Sequence, residues 1–564
     1  MTNLIENIKV TISNLIVQAL SKAMEKGELP EFQIPDVFIE IPREKGHGDF
    51  STNIAMQLTK LLRMPPQKIA DSVINNINTE GTYIKRVEKA GPGFINFYLD
   101  NQWLYEGLKI IKNEDRDYGR INIGKGQKVM VEFVSANPTG PLHMGNARGG
   151  ALGDCIAGVL EAAGYDVTRE FYINDAGNQI EKFGASLEAR YIQLLKGENA
   201  VEFPEDGYHG EDIIEHARAY IALYGDSLLN EDSQTRRKKL AEYAVQKNIS
   251  DIKKVLEDYG IVYDVWFSEK SLYESGELEQ TLKYLKDNGY TEEKEGALWF
   301  RSPDTEDEKE AVLVRNNGIP TYFASDIAYH RNKFQKRGFD WVINLWGADH
   351  HGHVARMKAA VKALGIDPDR LDIVLFQLVR LYRNGEIVRM SKRTGKAISL
   401  ADLLEEVGRD AARFFFNMKA SGSHLDFDLD LAVKQTNENP VFYVQYAHAR
   451  ICSIIRLLES EGVKVPEVNE TDLTLLKEQE ELDLIKKLVE YPEEIKISAQ
   501  TLEPSRLTRY VIDVASSFHS FYNACRVKGA EEDLMKARLL LVDCTRIVIR
   551  NVLNLLKISA PERM

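Results

Sequence analysis

Apolar residues change their spacing along this chain of 564 residues, and each change indicates a different kind of structure. Near the N-terminus, apolar side chains recur every three or four positions, which is typical of a helix that buries one face. Residues 36–42 (DVFIEIP) then alternate as in a strand, and residues 90–100 (AGPGFINFYLD) have the pattern of a turn followed by a strand. We predict an N-terminal α+β domain over residues 1–112.

A β-α-β pattern follows this first part. An apolar strand (128–134), a helix rich in small residues (149–163) and a second strand (166–175) succeed one another, which is the repeating unit of parallel sheets. A stretch with helical periodicity, roughly 178–290, interrupts the pattern like an insertion, and the pattern resumes at ALWFR. We predict a Rossmann-type domain with a parallel sheet and a helical insertion over residues 113–400.

The last third of the chain has a different pattern. Nearly all of residues 401–564 shows helical periodicity, with prolines as punctuation. We therefore predict a C-terminal helical bundle, and a fold class of multidomain α/β plus α.

Composition and charge exclude several classes of protein. No stretch approaches the roughly 18 apolar residues that cross a membrane, so we expect no membrane partner. The four cysteines lie far apart in the sequence, which disfavours a disulfide framework or a zinc knuckle and fits a cytoplasmic location. The net charge of −14 argues against a nonspecific DNA-binding protein, although a local basic face could still bind nucleic acid.

The turn between the first strand and the helix of the β-α-β unit (SANPTGPLHMGNARGG) carries candidate chemistry. The N-terminus of a helix binds anions, because its free N–H groups and its dipole point outward. His143 precedes the helix and could donate a hydrogen bond to a phosphate. Taken alone, so short a pattern is more often a structural histidine in an ordinary connection. Small residues here could let a flat ligand or a phosphate approach the backbone: Gly145, Ala147, Gly149, Gly150 and Ala151.

A second segment strengthens the phosphate hypothesis. IVRMSKRTGKAIS places Arg389, Lys392, Arg393 and Lys396 on a short loop that contains serine and glycine. Cations on such a loop suit the transition state of an attack on the α-phosphate of ATP and the leaving pyrophosphate. The two segments together predict a phosphate site that is approached from two sides.

These segments resemble the two signatures of class I aminoacyl-tRNA synthetases. HMGN is similar to H-I-G-H, and RMSKR is similar to K-M-S-K-S. SANPTGPLHMGNARGG, GPGFINFYL, NPVFYVQYAHARI and the terminal APERM resemble the arginyl-tRNA synthetase family, so the resemblance spans the whole chain. Two residues depart from the signatures: Asn146 replaces the second histidine and Arg389 replaces the first lysine. We expect these two departures to adjust the activity without abolishing it, because asparagine still forms hydrogen bonds and arginine keeps the charge.

The resemblance implies a reaction in two steps. ATP, with Mg²⁺ on its phosphates, would activate L-arginine to arginyl-adenylate, and the 3′ end of tRNA-Arg would then receive the arginyl group. No tightly bound metal is expected, and the family implies a monomer that activates its amino acid well only with tRNA bound. The implied catalytic residues are His143, Asn146 and Lys392. The implied ATP site comprises His143, Gly145, Asn146, Gly347, Asp349, His350, Met390, Ser391, Lys392 and Arg393.

A guanidinium never loses its proton, so a site for arginine should offer carboxylates or a carbonyl group. Tyr322 and Asp326 are four positions apart and would share one face of a helix. The resemblance implies that these two contact the guanidinium, and that Glu132, Ser135 and Asn137 contact the other end of arginine. Without the family, Glu132 would be interpreted as a surface charge, and Tyr322 with Asp326 as a helix cap and a packed ring.

The C-terminal helices would bind tRNA. Aromatic and arginine side chains stack on bases that are splayed out of a loop. The implied tRNA-contacting residues are Phe94, Asn96, Tyr443, Tyr446, Arg450 and Met564. The alternative is that the helix holding Tyr443 and Tyr446 is a core helix, which can be true of its other face.

Several alternatives remain open. His350, His351 and His353 could suggest zinc, but no cysteine or carboxylate pair completes a tetrahedral set. A tRNA-independent adenylyltransferase would not need the long helical C-terminal region. A noncatalytic tRNA-binding paralogue should have lost His143 and Lys392. A class I synthetase for another amino acid is the third alternative.

Overall fold

The computed structural model of the chain describes residues 3–42, 44–302, 311–388 and 398–564. The segment 389–397 lies outside the described residues. What was predicted for Met390, Ser391, Lys392 and Arg393 therefore stays a prediction.

The N-terminal part combines helices with a small antiparallel sheet of order β1-β3-β2. Its elements are α1 (Leu4–Glu25), β1 (Phe50–Thr52), α2 (Ile54–Leu62), α3 (Pro66–Asn76), β2 (Ile84–Ala90), β3 (Phe94–Leu99) and α4 (Gln102–Glu114). The strand predicted over residues 36–42 is wrong: only Glu40 pairs, in an isolated bridge with Ser51. Prolines at both ends of this segment limit regular pairing, and Phe38 is 69% exposed.

A parallel sheet occupies the middle of the chain. The elements there are β4 (Lys128–Glu132), α5 (Met144–Ala162), β5 (Asp166–Ile173), α6 (Asn178–Lys196), α7 (Glu211–Tyr224), α8 (Ser233–Asp258), β6 (Val265–Ser268), α9 (Lys270–Glu274), α10 (Glu277–Asp287), β7 (Thr291–Lys294), β8 (Ala297–Phe300), β9 (Ala311–Val314), α11 (Tyr322–Arg331), β10 (Trp341–Gly347), α12 (Val354–Ala363), β11 (Leu371–Phe376), β12 (Val379–Arg383) and β13 (Glu386–Val388). Within the described residues the sheet order is β11-β10-β4-β5-β6, and all its pairs are parallel. The strand order reverses between β4 and β10, which is where ligands bind in doubly wound sheets.

Two sequence predictions for this part need correction. The stretch 178–290 is mostly helical, as expected, but β6 lies inside it and forms the edge of the parallel sheet. Four residues are too few to show a period among long helices. The strands near ALWFR, where the α/β pattern was expected to resume, pair in a separate antiparallel sheet, β7-β8-β9.

The C-terminal part is helical, apart from one short strand that joins a small sheet with β12 and β13. Its elements are α13 (Leu400–Val407), α14 (Arg409–Asn417), β14 (Leu425–Asp428), α15 (Leu429–Val433), α16 (Pro440–Ser460), α17 (Gln479–Val489), α18 (Tyr491–Thr501), α19 (Ser505–Ala524) and α20 (Glu532–Leu555). One large apolar cluster runs from α1 through the parallel sheet to α20, and smaller clusters lie around α11 and within α6–α8. In the part of the chain that the structure describes, no helix is long and apolar enough to cross a membrane.

Small residues let α5 pack closely against the sheet. A Cβ atom added to Gly153 would lie 2.3 Å from Cγ of Phe133, and one added to Gly149 would lie 2.9 Å from Cζ of Phe376. Helix α5 begins at Met144, five residues earlier than predicted. Ala147, Gly149, Gly150 and Ala151 are buried, so the expectation that they admit a ligand is wrong. Gly149 and Gly150 leave room for the apolar side chains of Phe376 and Ile261, and of the five residues only Gly145 lies at the open end.

A buried ion pair joins α5 to the C-terminal helices. Nη2 of Arg413 lies 2.6 Å from Oδ2 of Asp154, and Nε of Arg413 donates to the carbonyl oxygen of Leu556 at 2.8 Å. Both charged side chains are almost completely buried. Arg169 contacts the other oxygen of Asp154 at 3.1 Å.

Arg413→Met should therefore destabilise the unit that contains α5 and α14. Removing one partner of a buried ion pair costs about 3–5 kcal/mol, and urea unfolding followed by fluorescence measures that loss. Arg380→Met, which removes an exposed pair with Asp426, is the matched control and should cost less than about 1 kcal/mol. Equal losses in the two variants would contradict the assignment.

Candidate active site

The N-terminus of α5 opens into the crevice beyond the carboxyl ends of β4 and β10. His143 is the N-cap of this helix and is exposed, with extended backbone angles. Its backbone N–H donates to Oδ1 of Asn146 at 3.1 Å. The turn therefore presents an imidazole and the free N–H groups of a helix end to the crevice, which suits an anion.

The chain that follows the segment 389–397 returns to this turn. Ser399 forms an isolated antiparallel bridge with His143, and the N–H of Leu400 donates to the carbonyl oxygen of Leu142 at 2.8 Å. Ser399 and Leu400, which follow the segment that contains the second signature, thereby lie beside the first signature. This geometry supports the prediction of one site approached from two sides.

A strained turn follows β4. Val134 and Ser135 have φ angles of 70° and 41°, which is the left-handed region and is rare for a β-branched residue. Oγ of Ser135 donates to Oε1 of Glu132 at 3.0 Å and accepts from the backbone N–H of Tyr172 at 3.2 Å. Strain of this kind is characteristic of functional sites, and here it directs Ser135 toward Glu132.

Glu132 is buried and paired. Oε2 of Glu132 accepts from Nζ of Lys333 at 2.6 Å, and the same ammonium group donates to Oδ1 of Asn344 at 2.9 Å. The interpretation of Glu132 as a surface charge is therefore wrong. Sequence reasoning missed Lys333, because it stands among other basic residues just after α11. A π-helical turn, Asn332–Lys336, follows α11 and contains it.

Helix α11 carries the predicted pair Tyr322 and Asp326. Burial of the carboxyl group, and then the charges of Glu269 and Glu132, raise the pKa of Asp326 to about 7, against the opposing charge of Lys333. Three carboxyl groups thus share this pocket with one lysine. Such a pocket favours a cationic ligand.

Glu269 is the second carboxylate that sequence reasoning missed. It follows β6 directly and is 2% exposed. Burial raises the pKa of Glu269 to about 7. A hydrogen bond with Ser325 acts against this rise, and the charge of Asp175 adds to it. Placing β6 in the parallel sheet would have pointed to Glu269, because the residue after such a strand lies at the edge where ligands bind.

Helix α6 of the insertion lies beside Asn137 and Tyr322. Nδ2 of Asn137 donates to Oε1 of Gln179 at 2.6 Å. Tyr322 is 47% exposed. Together with Gln179 and Tyr208, it lines a cavity of about 370 Å³. Gln179 thus bonds to Asn137 and lines the same cavity as Tyr322.

The loop after β10 lies at the same edge of the sheet. Gly347 ends β10, and Asp349 and His350 are exposed on the 3₁₀ turn Ala348–His353. A Cβ atom at Gly347 would lie 2.4 Å from Oδ1 of Asp349, an exposed side chain that is free to move aside. Within the described ranges, no three His, Cys, Asp or Glu side chains are grouped as ligands for a metal ion.

The residues predicted to contact tRNA belong to the N-terminal and C-terminal parts of the chain, outside the parallel sheet. On α16, Nη1 of Arg450 donates to the hydroxyl of Tyr446 at 3.4 Å, and its guanidinium lies 4.6 Å from the ring centre of Tyr522. The ring of Tyr443 lies 5.1 Å from that of His519. Both tyrosines are half-buried, whereas Val441, Val444 and Ala447 on the other face are buried.

The other predicted tRNA contacts differ in exposure. Phe94 is half-buried, and Met564 is 56% exposed. Asn96 is only 3% exposed, and its Oδ1 accepts from Oγ of Ser51 at 2.8 Å. The structure therefore directs the side chain of Asn96 inward.

Three family models match successive parts of the chain: the arginyl-tRNA synthetase N-terminal domain at residues 10–99, the class I tRNA synthetase (R) catalytic domain at 108–433, and the DALR anticodon-binding domain at 444–564. The chain belongs to the arginyl-tRNA synthetase family. The arginine–tRNA ligases of Acetivibrio thermocellus and Ruminiclostridium cellulolyticum are 72% and 70% identical to it, over 100% of both chains in each comparison. The arginyl-tRNA synthetase structure from Thermus thermophilus, 23% identical, shares the fold with a TM-score of 0.75 over 99% of this chain and 100% of that one.

The acidic pocket predicts that ligand binding depends on pH. Asp326 and Glu269, each with a pKa of about 7, must be ionised to bind a guanidinium group, so binding below pH 7 releases protons. The dissociation constant of free L-arginine should rise by about tenfold for each pH unit below 7 and for each proton released. Calorimetry between pH 5.5 and 8 measures this dependence. Asp326→Asn should reduce the slope, because Glu269 alone then releases a proton on binding, and a constant affinity across the range in the parent protein would contradict the prediction.

Proposed function

We propose that the chain is an arginine–tRNA ligase, which uses ATP to activate L-arginine and transfers the arginyl group to tRNA-Arg. The observation that carries this proposal is the acidic pocket formed by Asp326, Glu269 and Glu132. It lies at the carboxyl edge of the parallel sheet, as does the helix end that carries His143. A site for a guanidinium group thus shares this edge with a site for phosphate.

The first step is an attack on ATP. A carboxylate oxygen of arginine forms a bond with the α-phosphorus, and the bond from that phosphorus to the pyrophosphate oxygen breaks. His143 and the N-terminus of α5 stabilise the negative charge of the transition state. Lys392, with Met390, Ser391 and Arg393, contacts the leaving pyrophosphate from the other side. Mg²⁺ arrives with ATP as part of the substrate, which agrees with the preference of this ion for phosphate oxygens over an all-protein cage.

We infer the remaining ATP contacts from where the residues lie at the ends of α5 and β10. Gly145 and Asn146 lie at the open end of α5, and Gly347, Asp349 and His350 lie where β10 ends. Because β10 and β4 are neighbours in the sheet, both groups border the same crevice. We assign Gly347, Asp349 and His350 to the adenosine, with the carboxylate of Asp349 accepting from a ribose hydroxyl group.

Arginine lies between the two ends of the acidic pocket. Its guanidinium group donates to Asp326 and Glu269 beneath the ring of Tyr322, and its α-amino group faces Glu132, Ser135 and Asn137. Because Lys333 already neutralises Glu132, two carboxylates remain to balance the guanidinium group. Lysine carries one point charge and lacks the planar fork that bonds two carboxylates.

The second step requires tRNA. The terminal ribose 2′-hydroxyl attacks the carbonyl carbon of the adenylate, the arginyl ester forms, and AMP leaves. In our division of the chain, residues 401–564 bind the anticodon through Tyr443, Tyr446, Arg450 and the exposed Met564. Residues 1–112 bind another part of the tRNA through Phe94. We propose a monomer that acts in the cytoplasm.

An exchange assay tests this function. Incorporation of labelled pyrophosphate into ATP is measured with each of the twenty amino acids, with and without total tRNA. We expect exchange with arginine alone among the twenty, and much faster exchange when tRNA is present. Exchange with another amino acid would indicate a synthetase of different specificity. Full activity without tRNA would favour a tRNA-independent adenylyltransferase, and no exchange under any condition would favour a noncatalytic tRNA-binding protein.

Asp326→Asn tests the guanidinium site. The substitution keeps the shape of the side chain but removes its charge, and loss of a desolvated partner costs about 3–5 kcal/mol. The arginine KM in aminoacylation should rise strongly, while the ATP KM and the tRNA affinity stay nearly constant. Citrulline, the neutral isostere, should be discriminated against less strongly by the variant than by the parent. A rise in the arginine KM of less than about threefold, which is under 1 kcal/mol, would rule out contact with the guanidinium group.

A further inference from the structure

A chain of buried hydrogen bonds connects the carboxylate of Glu132 with the backbone of the helix that carries Asp326. It starts at Glu132, passes through Nζ of Lys333 (2.6 Å) to Oδ1 of Asn344 (2.9 Å), and continues from Nδ2 of Asn344 to Nε2 of His330 (2.8 Å). It ends where Nδ1 of His330 meets the carbonyl oxygen of Asp326 at 2.7 Å. Lys333, Asn344 and His330 are each at most 2% exposed.

The chemistry of the donors allows one direction for each bond. An ammonium group only donates, so Oδ1 of Asn344 faces Lys333 and the amide nitrogen faces His330. Nε2 of His330 must then accept, which leaves the proton on Nδ1 to donate to the carbonyl of Asp326. Burial, together with the charge of Lys333, lowers the pKa of His330 to about 3, so the ring stays neutral at working pH. The network has a single arrangement.

The backbone holds both sides of this network rigidly. Asn344 lies directly opposite Glu132 in the paired strands β10 and β4. Lys333 belongs to the π-helical turn Asn332–Lys336, and turns of this kind are frequent at functional sites. Its ammonium group lies 4.1 Å from the ring centre of Tyr329, an additional attraction for the cation.

We propose that Lys333, Asn344 and His330 are positioning residues that fix the spacing between Glu132 and Asp326, so that the pocket measures the length of a guanidinium-bearing amino acid. This inference rests on the proposed function, in which Glu132 faces the α-amino group and Asp326 the guanidinium group. Arginine would satisfy both ends at once. A homologue with one methylene more or less would have to leave one end imperfectly bonded.

A pocket can discriminate substrates by length only if its two ends are held at a fixed distance. One methylene in an adaptable apolar pocket is discriminated by about 10- to 200-fold, and a pocket whose two ends could shift would discriminate less. A carboxylate anchored to the sheet through Lys333, and a helix anchored to the same strand through His330, cannot move apart independently. Discrimination by length should therefore depend on residues that do not touch the substrate.

The experiment compares arginine with homoarginine, which has one additional methylene. The readout is the ratio of their kcat/KM values in adenylate formation at saturating tRNA. Asn344→Asp keeps the size of the side chain and the bond to Lys333 but removes the N–H that faces His330. We expect the ratio to fall about tenfold, with a higher arginine KM and an unchanged ATP KM.

Two further variants complete the test. Lys333→Met removes the anchor of Glu132 and should lower the ratio at least as much. Lys336→Met is the matched control, because Lys336 lies in the same turn but is exposed and pairs with Glu277; its ratio should stay within about twofold of the parent. Thermal unfolding identifies any variant that is merely destabilised, and destabilisation lowers the activity with both amino acids equally.

The outcomes separate this inference from the function on which it rests. If the parent protein does not activate arginine, the proposed function fails. If the parent activates arginine but Asn344→Asp and Lys333→Met both keep its ratio, the function stands and the length measurement is overturned. An equal fall in the Lys336→Met control would also overturn it.

Discussion

The position of the site depends on how closely α5 packs against the parallel sheet. Only glycine fits at position 153, because a Cβ atom there would lie 2.3 Å from the ring of Phe133. This close contact places the start of α5 beside the crevice between β4 and β10. Arg148, fully buried in the same helix, can then donate to the carbonyl oxygens of Gln377 and Ser423 at 2.7 and 2.9 Å. The first signature is thus fixed to the sheet and also to the segment that leads into the second signature through β12 and β13.

Charge balance distinguishes the pocket from the rest of the interior. Other buried carboxylates have cationic partners: Asp154 has Arg413, Glu481 has Arg538 at 2.6 Å, and Glu493 has Lys9. Within the described residues, neither Asp326 nor Glu269 forms an ion pair. Burying unpaired carboxylates is unfavourable, and the raised pKa values of both groups express that cost. A substrate that supplies a permanent cation removes the penalty, so the same feature that destabilises the free pocket selects its ligand.

The sequence correctly predicted those parts of the fold in which apolar residues recur regularly over a long segment. The β-α-β unit was predicted correctly, because the local spacing of its apolar residues determines it. Strand β6 was missed because its four residues lie between long helices and gain their structure from pairing with β5. Glu269 and Lys333 were missed for a related reason: tertiary contacts bring them into the pocket, and no local pattern marks them. The small residues of α5 were assigned to ligand approach because close packing and ligand contact require the same residue type.

Asn146 shows how a departure from a family signature can be accommodated. Its Oδ1 accepts the backbone N–H of His143, so the side chain ties the N-cap to the first turn of α5, which is a function that asparagine performs well. The amide NH₂ group of the same side chain takes no part in this bond and can donate to a phosphate or a ribose oxygen. Histidine at this position could offer one ring nitrogen to the backbone and the other to the ligand, and asparagine provides the same two functions from a shorter side chain. The substitution therefore preserves both the geometry of the turn and a hydrogen-bond donor at the open end of α5.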